Sequence, residues 1–425
     1  MRNHSDTLNH TGCNEEVSAL SLAVEYKLIS TVDQAKLFFG PISRDERKWR
    51  SQVYFDPLQL SPRSKLGIGE HDRAEAYIFG NGSFPSVDLK AHESHFPISV
   101  KVMRMEELYL NQGEVADLSA VSEEFPWDTG DSEVYLHVTL KRLILSKQSK
   151  IIVNGNVFIL NCEEAIANDL TDGYATIELG ASNLVQQRSF FRVNPLNEAQ
   201  KKGLNGSDGV NAPTYSTEST PLGLRLLSTE GAGKGEDGEN GYNGLKGSNG
   251  RNGAMLFLSD LRFKKLSGFK QHSIHIKSVA GSGFPGSNGG DGGNGGNGGK
   301  GTDGIASPFG LVAGYPGGNG GNGGNGGNGG KGGNGGMCCD IFVSVPPQSN
   351  EIFLPETNPA PGGKGGNGGN GGRGGLAGEN GSFFDSKSDL TAQNGKDGLD
   401  GLNGADGKTR EAPNVHLFER NYNIL

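Results

Sequence analysis

Glycine recurs at every third position in six separate runs, and this period restricts the possible folds more than any other feature of the sequence. Polyproline II has three residues per turn, so every third residue lies on the same edge of that helix. A lone helix of this kind has no internal hydrogen bonds, and ordering glycine costs much backbone entropy. The runs are therefore expected to be ordered only when they pack together. They are called segments I to VI and cover residues 203–209, 235–253, 283–304, 317–336, 362–381 and 395–407.

Glycines in the longer segments are predicted to be structural, because a side chain at these positions would hold the packed backbones apart. Segment IV is an almost pure Gly-Gly-Asn repeat, which leaves two of its three edges without side chains. Three representative positions from each of segments II, IV and V are Gly235, Gly238, Gly241, Gly320, Gly323, Gly326, Gly365, Gly368 and Gly371.

Three other interpretations of the repeat compete with a packed bundle. A collagen triple helix also needs glycine at every third position, but it relies on proline or hydroxyproline elsewhere, which the segments almost lack. A flexible linker has no reason to keep phase over many triplets. A calcium-binding repeat needs a nine-residue period with a regular aspartate, which Asp291 and Asp303 do not supply. A collagen-like repeat is the weaker match.

Apolar stretches with strand character lie on both sides of the composition change. Examples are residues 53–55, 76–79, 98–102 and 134–140 in the first half of the chain, and 273–279 and 340–345 between the segments. The predicted fold class is a mostly-β N-terminal domain followed by a polyproline-II glycine-helix bundle interleaved with short β-strands, in a solenoid-like arrangement. The predicted boundaries are a mobile tail at 1–15, the mostly-β domain at 16–196, a linker at 197–230 and the glycine-repeat region at 231–425.

Aromatic side chains concentrate in the turns between the segments. Rigidly held aromatic residues suit recognition, because they offer a large contact area at low entropic cost. Hydrophobic capping of the bundle ends is the alternative role. The candidate binding residues are Phe309, Tyr315, Phe353, Phe383 and Phe384.

Gly-Gly-x runs joined by short apolar turns, such as residues 305–312 and 382–385, resemble a known architecture. The chain is similar to the receptor-binding adhesins at the tips of the long tail fibres of T-even-type phages, which are polyglycine-II sandwiches whose distal loops bind bacterial surface receptors. The glycine-rich domain of the Obg GTPases and some arthropod antifreeze proteins are similar in the same limited sense. The resemblance covers about residues 231–407 and implies a rigid scaffold that displays binding loops.

Catalytic motifs are incomplete in this sequence. Residues 404–409 imitate the end of a phosphate-binding loop, but Leu402 stands where that motif needs its first glycine. Asp128, Asp131 and Glu133 could serve a glycosidase, although nothing in the sequence pairs them. The chain is therefore expected not to be an enzyme and to need no cofactor or metal. An enzyme within residues 16–200 remains an alternative.

The formal net charge of −9 is spread along the chain, which argues against a nucleic-acid partner. No signal peptide or membrane-spanning stretch is apparent. The expected function is that of a structural and binding protein that displays loops to a protein or cell-surface receptor, with a homo-oligomer also compatible. Synthesis in the cytoplasm is expected, followed by incorporation into a virion or non-classical release. The alternative is an ice-binding or surface-adsorbing protein that uses a flat face of Asn and Gly.

Overall fold

The computed structural model describes residues 19–20, 22–39, 43–54, 78–79, 96–130, 133–170, 172–181, 198–308, 310–385 and 391–420. Three helices with defined bounds lie in these ranges: α1 (Val32–Phe38), α2 (Arg44–Tyr54) and α3 (Glu198–Lys201). The strands are β1 (Ala19–Leu20), β2 (Ala23–Ile29), β3 (Ile98–Leu110), β4 (Val115–Asp117), β5 (Val134–Ser146), β6 (Lys150–Asn154), β7 (Asn156–Asn168), β8 (Ala175–Gly180), β9 (Ser216–Thr220), β10 (Gly223–Ser228), β11 (Ser259–Phe263), β12 (Leu266–Ser267), β13 (Ile274–Val279), β14 (Ile305–Ser307), β15 (Gly310–Val312), β16 (Ile341–Val345), β17 (Phe353–Thr357) and β18 (Val415–Glu419).

The largest sheet has nine strands and is mixed. Its order is β1-β3-β5-β7-β11-β16-β18, with β2 also pairing β3 and β12 also pairing β7. Strands β1 and β2 pair with β3 in antiparallel fashion, whereas the other pairs are parallel. A second sheet of five strands, β17-β13-β8-β6-β4, is parallel throughout. From β3 to β8 successive strands alternate between the two sheets.

The main hydrophobic core lies between these two sheets, which together form the sheet stack. Strands of the nine-stranded sheet contribute Leu136, Phe158 and Val343, and strands of the five-stranded sheet contribute Ile177 and Ile276. Each of these side chains is essentially inaccessible to solvent. Alternation of apolar and polar residues along β13 explains how this strand is oriented in its sheet, because Ile274 and Ile276 face the core while Lys277 faces outward.

A second cluster covers the other face of the nine-stranded sheet. Val102, Ile159 and Phe342 on that face pack with Ala35 of α1 and with Phe39, which follows α1. Helix α1 begins where the Thr31 hydroxyl accepts a hydrogen bond from the amide of Gln34, as a capping threonine does. Helices α1 and α2 therefore form a layer on one side of the sheet stack.

The predicted fold class is wrong. The chain is of the α/β type, with 8% of the described residues in helices and 33% in strands, and it is built on a large mixed sheet of mainly parallel strands rather than on a solenoid-like bundle. The physical reason is long-range pairing: β11 lies beside β7, and β13 lies beside β8, so strands from both halves share each sheet. Collagen-like, polyproline-II and polyglycine-II are therefore not correct descriptions of the molecule, and β-rich fits only in part.

Two short predicted strands are also wrong. The stretches at residues 53–55 and 76–79 were expected to be strands because they are aromatic and β-branched. Residues 53–54 instead belong to α2, and residues 78–79 are helical. Tertiary contacts override the local preference, because Trp49 of α2 packs against the ring of Phe342 at a centroid distance of 6.0 Å.

The six glycine segments are extended and connect the sheet stack with loops at their far ends. Segments II, IV and VI lead into β11, β16 and β18, while segments III and V follow β13 and β17. Segments III and IV are joined by the hairpin β14–β15, and segments I and II by the hairpin β9–β10. The chain therefore makes three out-and-back excursions, and their six arms together are called the glycine array.

Hydrogen bonds between backbones join the arms of the array at every third residue. In segment II, the amides of Gly238, Gly241 and Gly244 donate to Asn319, Asn322 and Asn325 of segment IV at 2.8 Å. A Cβ atom placed on any of the nine glycines predicted to be structural would lie under 3.0 Å from a backbone carbonyl oxygen of another segment. Glycine is therefore required at these positions, because the space that a methyl group needs is filled by a neighbouring peptide.

Candidate binding surface

One end of the glycine array lies against the sheet stack and the other carries a set of loops. Close to the stack, Gly336 donates to Gly281, and Gly407 donates to Gly363, both at 2.8 Å. At the opposite end, Gly299 donates to Glu236 and Gly318 donates to Gly299 at the same distance. The hairpins β9–β10 and β14–β15 and residues 381–385 follow directly from that opposite end. These three loops, together with residues 313–316, are called the tip.

Direct contacts hold the loops of the tip together. The Tyr215 hydroxyl donates to the carbonyl of Ala313 at 3.0 Å. The amide of Gly381 donates to the carbonyl of Tyr315 at 2.9 Å. Gly223 has a φ of 116°, which favours glycine, and a Cβ there would lie 3.1 Å from Pro308 Cδ. The two hairpins therefore touch each other, and the tip is a single surface.

Large apolar side chains of the tip are exposed. Leu222 is 70% exposed, Leu311 is 65% exposed and Phe383 is 53% exposed. Leu224 and Leu227 on β10 are exposed as well. Scattered exposed leucines are common on proteins, whereas several large exposed apolar side chains on joined loops favour an interaction site. The tip is therefore the candidate binding surface.

The structure separates the predicted aromatic candidates. Tyr315, Phe383 and Phe384 lie at the tip, where Tyr315 and Phe383 are exposed and Phe384 is half-buried. Phe353 begins β17 in the core between the sheets, is 3% exposed and packs against Phe263 at a centroid distance of 5.4 Å. Phe309 lies outside the described residues.

Leucines of the β9–β10 hairpin were not among the sequence-based candidates, because residues 197–230 were interpreted as a polar linker. The sequence Thr220-Pro221-Leu222-Gly223 is the signal that could have identified them. Pro and Gly favour a turn, and an apolar residue between them is expected to lie on the surface. The predicted linker contains α3, segment I and this hairpin.

Asparagine side chains in the array bond to neighbouring backbones rather than forming a free amide surface. Asn322 Oδ1 accepts from the amide of Lys396 at 2.8 Å, and the next glycine, Gly323, donates to the carbonyl of Lys396 at 2.8 Å. Asn325 and Asn328 of segment IV bracket Leu399 and Leu402 of segment VI in the same manner. Each such Asn-Gly pair therefore clamps one residue of the adjacent segment through both of its backbone polar groups.

Side chains of segment VI satisfy the outer edge of segment V. The amides of Gly365, Gly371 and Gly374 donate to Asp406, Asp400 and Asp397, each at 2.8 Å. Comparable amides in segment III donate to backbone carbonyls of segment V. These carboxylates thus replace the carbonyls of a further segment and cover an edge that would otherwise be open to pairing with another chain.

A buried ion cluster fastens α2 to the nine-stranded sheet. Arg50 of α2 donates to both oxygens of Asp260 on β11 at 2.9 Å and to Glu46 Oε1 at 2.6 Å. Arg262 donates to Asp260 Oδ2 at 2.7 Å. Ser344 on β16 donates to Glu46 Oε1 at 2.8 Å. All five side chains are buried and bond mainly to one another, so the cluster serves helix attachment.

The electrostatics of the cluster keep Asp260 charged. Burial alone would raise the pKa of Asp260, but the guanidinium groups of Arg262 and Arg50 outweigh that effect and hold the pKa far below its usual range. A carboxyl whose pKa is lowered on folding stabilises the folded state above its unfolded pKa and loses that contribution only as pH falls through the lower value. Mild acid therefore leaves this attachment intact.

His137 on β5 lies beside the cluster and responds to acid differently. Burial, followed by the charges of Arg262 and Arg104, lowers the pKa of His137 to about 4. The carboxamide nitrogen of Asn161 lies 2.8 Å from Nε2, which suits a neutral ring that accepts there. The rings of Phe38 and Phe39 pack edge-on against the imidazole. The folded protein therefore holds His137 without its second proton.

We expect His137→Gln to flatten the dependence of stability on pH. The unfolded chain takes up a proton on His137 near pH 6.5, whereas the folded chain does so only near pH 4, so folding stability falls as pH is lowered between these values. The shift corresponds to roughly 3 kcal/mol. Urea unfolding at several pH values from 7 to 4.5 measures the slope. Equal slopes for the variant and the parent would contradict the assignment.

Other titratable groups of the described residues make local contacts. His275 on β13 stacks on Tyr174 at a centroid distance of 3.7 Å, and its Nδ1 lies 2.8 Å from Glu356. These groups sit on the outer face of the five-stranded sheet, where Lys277 also pairs with Glu356 at 3.1 Å. Asp128 accepts a hydrogen bond from the amide of Gly130 in a local turn. Within the ranges that the structure describes, no group of three or more His, Cys, Asp or Glu side chains could hold a metal ion.

Comparison of the chain with models of protein families, with curated proteins and with solved structures finds no match. Among the described helices, none has the length and apolar character needed to cross a membrane.

Proposed function

We propose that this chain is a non-enzymatic scaffold whose tip binds a protein or a cell-surface receptor. The observation that carries the proposal is the exposure of Leu222, Leu311 and Phe383 on loops that bond to one another at the end of the array. Binding sites of proteins are dominated by a few large apolar and aromatic side chains. The sheet stack then serves as the base, and the array holds the tip away from it.

Rigidity of the array supports this role. Its arms are bonded at every third residue, and its glycines leave no room for side chains between them. A loop that is already ordered before binding loses less entropy when a partner docks. The proposal includes synthesis in the cytoplasm and display on a virion or outside the cell, where the tip meets a surface.

Site-specific photo-crosslinking tests the proposal. A photoreactive phenylalanine analogue at position 311 is compared with the same analogue at position 399, which is a similarly exposed leucine on segment VI, away from the tip. We expect a discrete adduct with one partner from position 311 only. Similar adducts from both positions, or none from position 311 in the cells and surroundings where the protein acts, would argue against a binding tip.

Substitution of the tip leucines gives a quantitative check once the partner has been captured. We expect Leu222→Ser combined with Leu311→Ser to weaken binding at least tenfold, because residues at the centre of an interface each contribute about 2 kcal/mol or more. The matched control is Leu399→Ser with Leu402→Ser, which changes the same residue types at similar exposure. Equal affinities of the two double variants, each with an unchanged melting temperature, would overturn the proposal.

A further inference from the structure

Asn-Gly pairs are frequent in the array, and this sequence is chemically labile. The amide nitrogen of the glycine attacks Cγ of the asparagine, a new N–Cγ bond forms as the amide proton leaves, and the Cγ–Nδ2 bond breaks with release of ammonia. Water then opens the succinimide ring to give aspartate or isoaspartate. The reaction requires the glycine nitrogen and the side-chain carboxamide to move toward each other, so bonds that hold both groups oppose it.

Within the array both groups are held. Asn294 Oδ1 accepts from the amide of Arg373 at 2.9 Å, and the Gly295 amide donates to the carbonyl of Arg373 at 2.8 Å. The same clamp recurs between segments I and III, II and IV, and IV and VI. Described pairs with this double clamp begin at Asn205, Asn240, Asn243, Asn249, Asn252, Asn288, Asn294, Asn297, Asn319, Asn322, Asn325, Asn328 and Asn334.

Asn367 and Asn370 of segment V differ from these pairs. Segments I, III and V form one row, in which the asparagines of each segment accept hydrogen bonds from backbone amides of the next. Segment V ends this row, so no further segment supplies backbone amides to its asparagines. Among the described residues, neither Asn367 Oδ1 nor Asn370 Oδ1 accepts a hydrogen bond from the chain. The following amides, of Gly368 and Gly371, donate only to the side chains of Asn403 and Asp400, at 2.8 Å each. Both asparagines are exposed.

We propose that Asn367 and Asn370 are the deamidation sites of the folded array, and that the clamped Asn-Gly pairs are protected. Conversion of either residue to aspartate adds a negative charge to an exposed row that also carries Lys364 and Arg373. Conversion to isoaspartate inserts a backbone atom and shifts the period of segment V against its neighbours. Aspartate itself is compatible with a clamped position, since Asp291 accepts from the amide of Asn370 at 2.7 Å.

Peptide mapping of the intact protein tests the proposal. The folded protein is incubated at mildly alkaline pH and 37 °C for several weeks, with a sample unfolded in guanidinium chloride as the control. We expect the mass increase of about 1 Da, which follows from exchange of an amide for a carboxyl, at positions 367 and 370 first. The clamped pairs of segment IV should react at least tenfold more slowly, which corresponds to about 1.4 kcal/mol of additional barrier.

The unfolded control should remove the difference between the two classes of Asn-Gly pair. Reaction of Asn322, Asn325 and Asn328 as fast as Asn367 and Asn370 in the folded protein would overturn the proposal, and so would the absence of reaction at positions 367 and 370. The variant Asp400→Ala removes the side chain that accepts the amide of Gly371. It is expected to accelerate modification at Asn370 more than at Asn367. Equal acceleration at the two sites would contradict the assigned geometry.

Discussion

Replacement of Asp260 by asparagine is expected to destabilise the folded chain by about 3–5 kcal/mol, the usual cost of removing one partner from a buried ion pair. The substitution keeps the size of the side chain but removes the charge that compensates Arg50 and Arg262. Both guanidinium groups would remain buried against the sheet without the carboxylate that they share. Urea unfolding followed by circular dichroism measures the loss.

An exposed ion pair of the same sheet supplies the control for Asp260→Asn. Arg104 on β3 pairs with Glu25 on β2 at 3.2 Å, and both side chains are about half exposed. Arg104→Gln should cost under about 1 kcal/mol, because water and salt screen such pairs. If the two substitutions had the same effect, the buried cluster would not be holding α2 to the sheet.

The second large effect is expected from Gly323→Ala in segment IV. A Cβ at this position would lie under 3.0 Å from the carbonyl oxygen of Gly372 in segment V. That oxygen accepts the amide of Gly398 at 2.8 Å, so it cannot withdraw without breaking a bond to segment VI. Overpacking typically costs about 1–3 kcal/mol and sometimes more. We expect a cost at the upper end of that range, since three arms must separate.

Gly233→Ala is the matched control for Gly323→Ala. A Cβ at Gly233 would meet no atom within 4 Å, and its φ lies outside the left-handed region that favours glycine. The alanine should therefore be neutral or slightly stabilising, because it reduces the freedom of the unfolded chain. Thermal unfolding of the two variants compares them directly. Equal melting temperatures would mean that the arms are not packed as closely as described.

Local sequence patterns predicted much of the strand content but not the way in which strands associate. The apolar stretches at residues 134–140 and 340–345 lie in β5 and β16, because alternation and β-branching are properties of the stretch itself. The pairing of β7 with β11 joins residues about a hundred positions apart, and no local pattern encodes it. The fold class was wrong for this reason: the glycine period dominated the prediction, whereas the shared sheets define the architecture.

The candidate surface was predictable only in part. Tyr315 and Phe383 stand out because they are large residues beside long glycine runs, and the structure places both at the tip. Phe353 gave the same signal, yet it begins β17 at the edge of the five-stranded sheet, and its side chain packs into the core. The ion cluster left no local signal, since Arg50 and Asp260 lie 210 residues apart. Contacts between residues so far apart in the sequence can be identified only when the fold is known.

Constant offsets between the arms make the distance from the sheet stack to the tip adjustable. Residues clamped between segments II and IV are always 82 positions apart, and those between IV and VI always 74. One extra triplet in a single arm would break the match beyond the insertion. One extra triplet in every arm would preserve each clamp and lengthen the glycine array by one turn of the repeat. Relatives of this chain should therefore differ in the distance from the sheet stack to the tip by whole triplets, and each added triplet should be present in all six arms.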